Sequence, residues 1–312
     1  MDVIDLEILQ YLSKNCRTSI AELANKIKKP RHLIAYRIKR LKEKAIYTGN
    51  ELILNYNKIG HTEYIIYLKF SNYPSIKKEI TQFLIKNKHV RWLGEVFPHF
   101  NLRLSVITKN INELESLISQ IRQISQNKLT KKEILISRSL LKKETFSTKR
   151  EIKKTKTDQN KIILNNKGKK LITALSENPT ASLLSLAKKS GLSIEAVRKK
   201  MKFFEQTGLI EGYSAKFDMK KMKFNLWGNL LIKTDFWKNK DKLQNLLYST
   251  AKYSRTRALF GNWDLEMGFS VNNYEELIKP KNQIEKTLGS DFIEYTLEFY
   301  FKITSKQTTQ QF

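Results

Sequence analysis

The chain is written twice. Sliding its 312 residues against themselves by 163 brings Leu12-Ser13 onto Leu175-Ser176, Ser19 onto Ser182, Leu23-Ala24 onto Leu186-Ala187 and Gly49 onto Gly212. Further along, Asn101-Leu102 falls on Asp264-Leu265 and Glu113-Leu114 on Glu276-Leu277. Each structural element therefore has to occur twice, and a length of this size suits two to four units at roughly 100–200 residues each.

The first part of each copy reads as three helices. Ile4, Ile8, Leu9 and Leu12 lie on one helical face. Ser19-Ile20-Ala21-Glu22 has the form of a capping box, which starts a second helix by satisfying its free N–H groups. Pro30 opens a third helix, in which Ile34, Ile38 and Leu41 point inward and Arg31, His32, Tyr36, Arg37, Lys39, Arg40 and Lys42 point largely outward. In the second copy Ser182 opens the second helix. Ser193 caps the third, with Val197, Met201 and Phe204 inward and Arg198, Lys199, Lys200 and Lys202 outward. Gly49 and Gly212 end these helices, and Glu51 to Leu54 and Tyr213 to Phe217 read as short strands, each the wing of its own unit.

A short helix, a tight turn and a basic third helix make a helix-turn-helix whose third helix enters the major groove of double-stranded DNA. The whole chain agrees, since 58 Lys and Arg against 30 Asp and Glu leave a net charge of +28, a balance that favours a polyanionic partner. The residues expected at the DNA are Arg31, His32, Tyr36, Lys39 and Arg40 in copy one, and Ser193, Glu195, Arg198, Lys199 and Lys202 in copy two. Base reading belongs to the N-terminal half of each helix: Arg31, His32 and Tyr36, or Ser193, Glu195, Arg198 and Lys199. These sets differ, so the two helices need not read the same half-site.

The second part of each copy alternates β-branched strands with amphipathic helices. The spacing predicts strands at Tyr64–Phe70, Val90–Val96, Leu102–Ile107 and Glu133–Ser139, with helices at Ser75–Lys86 and Ile111–Ile121. Copy two gives Leu226–Thr234, Asp241–Tyr253, Arg255–Phe260, Leu265–Val271, Tyr274–Leu288 and Phe292–Ile303. The order β-α-β-β-α-β is the ferredoxin-like split unit. The fold class expected is thus α+β, a winged helix-turn-helix plus a ferredoxin-like domain, duplicated in one chain. The boundaries are 1–60, 61–140, a basic linker at 141–161, 162–222, 223–305 and a polar tail at 306–312. A four-stranded sheet with helices on one face leaves its other face to be covered, either by the second copy as an internal pseudo-dimer or by another chain as a homodimer.

With Asp5-Leu6-Glu7-Ile8-Leu9, Ser19-Ile20-Ala21-Glu22-Leu23-Ala24, Tyr36-Arg37-Ile38-Lys39-Arg40-Leu41 and Gly208-Leu209-Ile210-Glu211-Gly212-Tyr213, the chain resembles the tandem, archaeal-type Lrp/AsnC (feast/famine) transcription regulators. The resemblance implies a sequence-specific DNA-binding regulator whose second domain dimerises through its sheet and binds an amino acid or other small effector near a Gly-containing loop between its second and third strands. On this sequence that loop corresponds to Gly261-Asn262-Trp263-Asp264, so Gly261, Trp263 and Asp264 are the candidate effector residues. The copy-one stretch Gly94 to Asn101 reads as a loop four residues longer, with Asn101 where the acidic residue belongs. Asn cannot supply the charge that would receive a ligand's ammonium group.

Other chemistry finds little footing. There is no phosphate-binding glycine loop, no H-E-x-x-H and no paired-cysteine spacing. The chain is expected to be no enzyme and to hold no cofactor or metal. The four histidines, His32, His61, His89 and His99, are scattered, and the single Cys16 fits a reducing cytoplasm. No stretch reaches the roughly 18 apolar residues a bilayer needs, so no membrane partner is expected. Two alternatives stand beside the regulator. The sirohaem decarboxylases share the winged-helix plus split-unit plan, and His99-Phe100-Asn101-Leu102-Arg103 is similar to their substrate-facing strand. A protein-interaction scaffold that has lost DNA binding is the other.

Overall fold

The computed structural model describes residues 1–142, 161–235, 238–239, 242–243 and 253–305. The linker beyond Lys142, the polar tail and most of the helix expected at Asp241–Tyr253 lie outside the described residues.

Each copy begins with three helices: α1 (Val3–Lys14), α2 (Ile20–Ile27) and α3 (Arg31–Glu43), then α6 (Asn166–Glu177), α7 (Leu183–Ser190) and α8 (Ile194–Gln206). Their starts are the capped ones the sequence marks. Ser19 accepts from the Glu22 N–H, Ser182 from the Ser185 N–H and Ser193 from the Ala196 N–H. Asp2 and Asp5 form a reciprocal capping box at α1. The helices bury Ile8, Leu9, Leu23 and Ile34 in one copy and Leu171, Leu175, Leu186 and Val197 in the other, and all of them share one continuous core.

That shared core exists because the strands after the third helices are not separate wings. β1 (Tyr47–Leu54) and β6 (Ile210–Phe217) pair antiparallel with each other in a two-stranded ribbon. The wing expected in each unit is therefore a single strand completed by the other copy, as an isolated strand has no partner for its backbone N–H and C=O groups. Gly49 sits at a register shift in this ribbon with φ +154°, a conformation that L side chains rarely adopt. Reciprocal bonds flank the ribbon, Asn55 N–H to Leu209 O at 3.0 Å and Asp218 N–H to Ile46 O at 2.9 Å.

The sheet domains are β2 (Thr62–Phe70), α4 (Tyr73–Lys86), β3 (Val90–Phe97), β4 (Leu102–Thr108), α5 (Ile111–Ile124) and β5 (Leu129–Lys142), then β7 (Leu226–Thr234), β8 (Tyr253–Phe260), β9 (Leu265–Val271), α9 (Tyr274–Leu288) and β10 (Phe292–Ser305). β5 runs through residues 141–142, which the sequence assigned to the linker. Within each copy the strand order is that of the split unit. The two sheets then join edge to edge, β5 to β8 and β10 to β3, into a closed eight-stranded barrel in the order β10-β3-β4-β2-β5-β8-β9-β7. Closure leaves no unpaired sheet edge.

The joins are equivalent residue for residue. Ile136 pairs with Phe260 as Phe299 pairs with Phe97, and the shift between Ser137 and Ser139 recurs between Tyr300 and Lys302. The chain thus contains an internal two-fold axis. Residues 163 apart can meet only on that axis, and two pairs do so: Glu51 opposite Ser214 in the ribbon, and Arg103 bonded to Glu266 in the barrel. The outer faces of the sheets carry their helices over separate cores. The inner faces meet over Ile65, Tyr67, Leu135, Leu231, Leu259 and Trp263.

Candidate nucleic-acid interface and axial cavity

The third helices show which outward cations are free to meet phosphates. Arg31, His32, Tyr36 and Lys39 on α3 are exposed, Tyr36 at 60% despite its apolar ring. Lys39 has only an exposed ion pair with Glu43 at 3.8 Å. Arg40 departs from the expectation: its Nη2 lies 2.8 Å from Asp5 Oδ2, and Asp5 is 1% exposed. Arg37 is held likewise by Asp2 and Asp5. These two arginines fasten α3 to the start of α1, because Asp5 needs cationic partners once it is buried.

On α8, Arg198, Lys199 and Lys202 are exposed, and Phe203 stands beside them at 49%. Lys199 pairs with exposed Glu195 at 3.0 Å, a contact worth little in water. Ser193 is engaged as the N-cap of its helix through Oγ.

The loop between β8 and β9 also has structural work. Asp264 Oδ2 accepts from the Thr234 N–H at 2.9 Å and Trp263 is buried in the inter-sheet core. Burial, opposed by the Thr234 N–H, raises the Asp264 carboxyl above its ordinary range. A Cβ on Gly261 would come within 2.7 Å of Leu135. Copy one does the same with an amide: Asn101 Oδ1 accepts from the Phe70 N–H at 2.8 Å. The copy-one loop is therefore not longer. Pro98-His99-Phe100-Asn101 matches Gly261-Asn262-Trp263-Asp264 one for one, and Gly94 lies inside β3, paired with Arg103. Neutral Asn serves as well as Asp because each closes a strand end, which needs only an acceptor. Asp264 Oδ2, buried Trp263 and Gly261 thus have structural work in the barrel.

Between the ribbon and the barrel lies a cavity of about 880 Å³. The sequence reading missed it, since its walls come from strands of both copies. Arg91, Arg103, Arg255 and Arg257 line it with Lys216, Lys220 and Lys302, against the carboxylates Glu51 and Asp218. Burial and the neighbouring Arg257 lower the Arg255 guanidinium to about 10, and burial and Arg91 lower Lys216 below the usual lysine value. Both shifts are what crowded, desolvated like charges produce.

On the axis beside the cavity, Arg103 binds Glu266 in a two-pronged contact, Nε to Oε1 at 2.8 Å and Nη2 to Oε2 at 2.6 Å. Tyr67 donates to the same carboxylate at 2.7 Å, Asn229 at 3.1 Å and Arg257 at 3.3 Å. Burial works to raise the Glu266 carboxyl, but Arg103 and these donors hold it below its ordinary value.

Elsewhere, His99 bonds Glu298 at 2.9 Å. Of the stretch His99 to Arg103, only Arg103 is among the residues lining the cavity. Cys16 is buried, and burial raises its thiol to about 11, out of reach of easy thiolate chemistry. Among the described residues no group of three or more His, Cys, Asp or Glu side chains is placed to hold a metal, and no helix is long and apolar enough to cross a membrane.

Comparison with known proteins meets this geometry at the helical units. The winged helix-turn-helix DNA-binding family matches residues 1–44 and 164–211, one match per copy. A helix-turn-helix transcriptional regulator of Pyrococcus furiosus is 30% identical over 127 residues, 40% of this chain and 85% of that one. One from Pyrococcus horikoshii is 28% identical over 138 residues, 44% of this chain and 93% of that one, so either relative is about the size of one copy. Among solved structures, the siroheme decarboxylase NirDL has the same fold over 98% of this chain and 96% of its own, with a TM-score of 0.61 and 15% identity. NirDL has also been crystallised with an iron-uroporphyrin III analogue. The helical units recognised in both copies, and a relative matched over most of its own length by one copy, make this chain a member of the winged helix-turn-helix DNA-binding transcription regulators, with the unit carried twice.

Proposed function

We propose that this regulator acts as an internal pseudo-dimer, a cytoplasmic protein that lays both reading heads on one DNA duplex and carries out no catalytic step. The observation that supports this most directly is the closed barrel with its ribbon: the surfaces a single-unit relative would leave for a partner are used up inside one chain. Two heads tied by a two-fold axis suit half-sites roughly 34 Å apart or a multiple of that. Arg31, His32 and Tyr36 would read one half-site, and Glu195, Arg198 and Lys199 the other. Lys39 and Lys202 would contact phosphates, which supply affinity without sequence information. The particle in solution is then one chain of 36.7 kDa. Selection of bound fragments from random duplex DNA, followed by footprinting, tests the proposal. Two protected segments at helical-turn spacing, affinity falling steeply with salt, and a single-chain mass support it. Twice that mass, or one protected segment, refutes it.

A second reading has its own observation. The chain shares a whole-length fold with NirDL and carries a cationic cavity lined by Trp92 and Trp227. Binding and decarboxylation of an anionic tetrapyrrole would give a visible absorption band that stays with the protein when free tetrapyrrole is removed, with loss of carbon dioxide. DNA binding with no such reaction decides for the regulator.

A further inference from the structure

The internal two-fold generates every cavity twice, and here the two have parted. The counterpart of the 880 Å³ cavity on the other side of the axis measures about 40 Å³, little more than a water molecule's space. Their linings correspond position by position. Ile53, Ser137 and Asn57 of the small cavity stand where the large one has Lys216, Tyr300 and Lys220. Glu63 stands where the large cavity has Trp227, one place further on because β7 begins 164 residues after β2. The small cavity is lined by charges of both signs, Glu63 and Glu211 with Arg91, Arg138 and Arg257, and Arg91 reaches Glu63 at 3.9 Å.

Small residues line part of the large cavity, though at Gly228 the glycine answers the close approach of the Glu298 carbonyl, which a Cβ would meet at 2.1 Å. Gly228, Gly268 and Ser270 line it, where the equivalent positions in copy one carry Tyr64, Ser105 and Ile107. Gly94 lies beneath two of its lining rings, Trp92 and Tyr300. A Cβ there would come within 2.4 Å of the Trp92 ring and 3.0 Å of Tyr300, so the glycine lets both rings lie over the strand. Trp92 and Tyr300 meet edge to face at 5.3 Å, and Arg103 lies over Trp92 at 4.8 Å. The four arginines of the wall are paired, Arg255 with Glu51, Arg91 with Glu63, and Arg103 and Arg257 with Glu266, so the charge on offer is that of Lys216, Lys220 and Lys302, set among flat rings, which an aromatic anion complements. The volume is within the roughly 300–1,000 Å³ usual for small-molecule sites.

We infer that the open cavity is a binding site for one aromatic polyanion per chain, a flat ring system bearing carboxylates or phosphates, and that its two-fold twin has been closed so that the duplicated chain keeps a single site. The rings of Trp92, Trp227 and Tyr300 take the flat part, and Lys216, Lys220 and Lys302 take the charges. The roof of the cavity is the ribbon, through Asn50, Leu52 and Lys216, and the ribbon follows directly from α3 and α8. An occupant therefore bears on the spacing of the two reading heads. That regulatory consequence rests on the DNA-binding reading; the site itself does not.

The test is calorimetric titration of the full chain, without DNA, with two probes: uroporphyrin, a porphyrin rimmed with carboxylates, and ATP. Binding of either at one molecule per chain is the expected result, and which probe binds separates polycarboxylate from phosphate ligands. The double variant K216I/K302S, which removes two of the lining lysines, should weaken that binding about tenfold or more. Lys220→Asn, at an exposed position, should weaken it in the same sense if the double variant does not fold. Binding of neither probe, two molecules per chain, or folded variants that bind like the parent would overturn the site. Repeating a DNA titration with and without the bound probe tests the coupling separately.

Discussion

Glu266→Gln should be among the most damaging single-atom changes available in this chain. The Glu266 carboxylate is 1% exposed and receives donors from Arg103, Tyr67, Asn229 and Arg257. Replacing one oxygen by NH₂ turns an acceptor into a donor facing Arg103 and leaves that guanidinium buried without its counter-charge. Breaking a buried pair in this way costs about 3–5 kcal/mol, which in a chain of this size lowers the melting temperature by roughly 10 °C. Arg103→Glu should cost at least as much, since two carboxylates then face each other across the axis. The double exchange R103E/E266R restores opposite charges and should recover part of the loss, with a coupling of about 1–3 kcal/mol. Recovery is incomplete because Tyr67, Asn229 and Arg257 still point donors at position 266. Thermal unfolding followed by circular dichroism measures each variant, with urea titration to check that the surface exposed on unfolding is unchanged. A Glu266→Gln variant melting within about 2 °C of the parent, or a double exchange no better than the sum of its parts, would refute the axial pair as the lock of the barrel.

Replacing Arg31 or Tyr36 with Ala should relax base preference at one half-site by about 1–3 kcal/mol, whereas Lys202→Ala should weaken all sequences alike; competition assays with variant duplexes distinguish the two, and equal losses on every sequence would reassign the reading positions. Arg40→Ala should lower the melting temperature through loss of its bond to Asp5, at about 1–3 kcal/mol, and leave the salt dependence of DNA affinity unchanged; a flatter salt dependence would return Arg40 to the interface. Burial, opposed by the His99 contact, raises the Glu298 carboxyl above its ordinary value, so this group favours folding while protonated and loses that contribution as pH rises through its folded-state pKa. Glu298→Gln should therefore match the parent's stability near about pH 4 and exceed it by a margin that grows as pH rises to the folded-state pKa and then levels off; parallel melting curves across that range would contradict the assignment.

Much of this architecture is written locally. Caps at Ser19, Ser182 and Ser193, apolar residues at helical spacing, and alternating strand patterns each depend on neighbours a few residues away, so sequence alone determined the elements, their order and their duplication. It also picked out the exposed cations, Arg31, Lys39, Arg198 and Lys202, because an outward helix position is set by periodicity. What periodicity cannot show is whether an outward arginine finds a carboxylate from another helix, and Asp5 took Arg37 and Arg40. The likeness of Gly94 to Gly261 in type misaligned the β3–β4 and β8–β9 loops, although the 163-residue offset itself sets Pro98 opposite Gly261, as the strand register bears out. The shared ribbon, the axial Arg103–Glu266 pair and the unequal twin cavities were decided by tertiary structure, since each is a contact between residues about half the chain apart. Such a contact leaves no mark on the local pattern of either partner, and its chemistry exists only once the two copies have closed on each other.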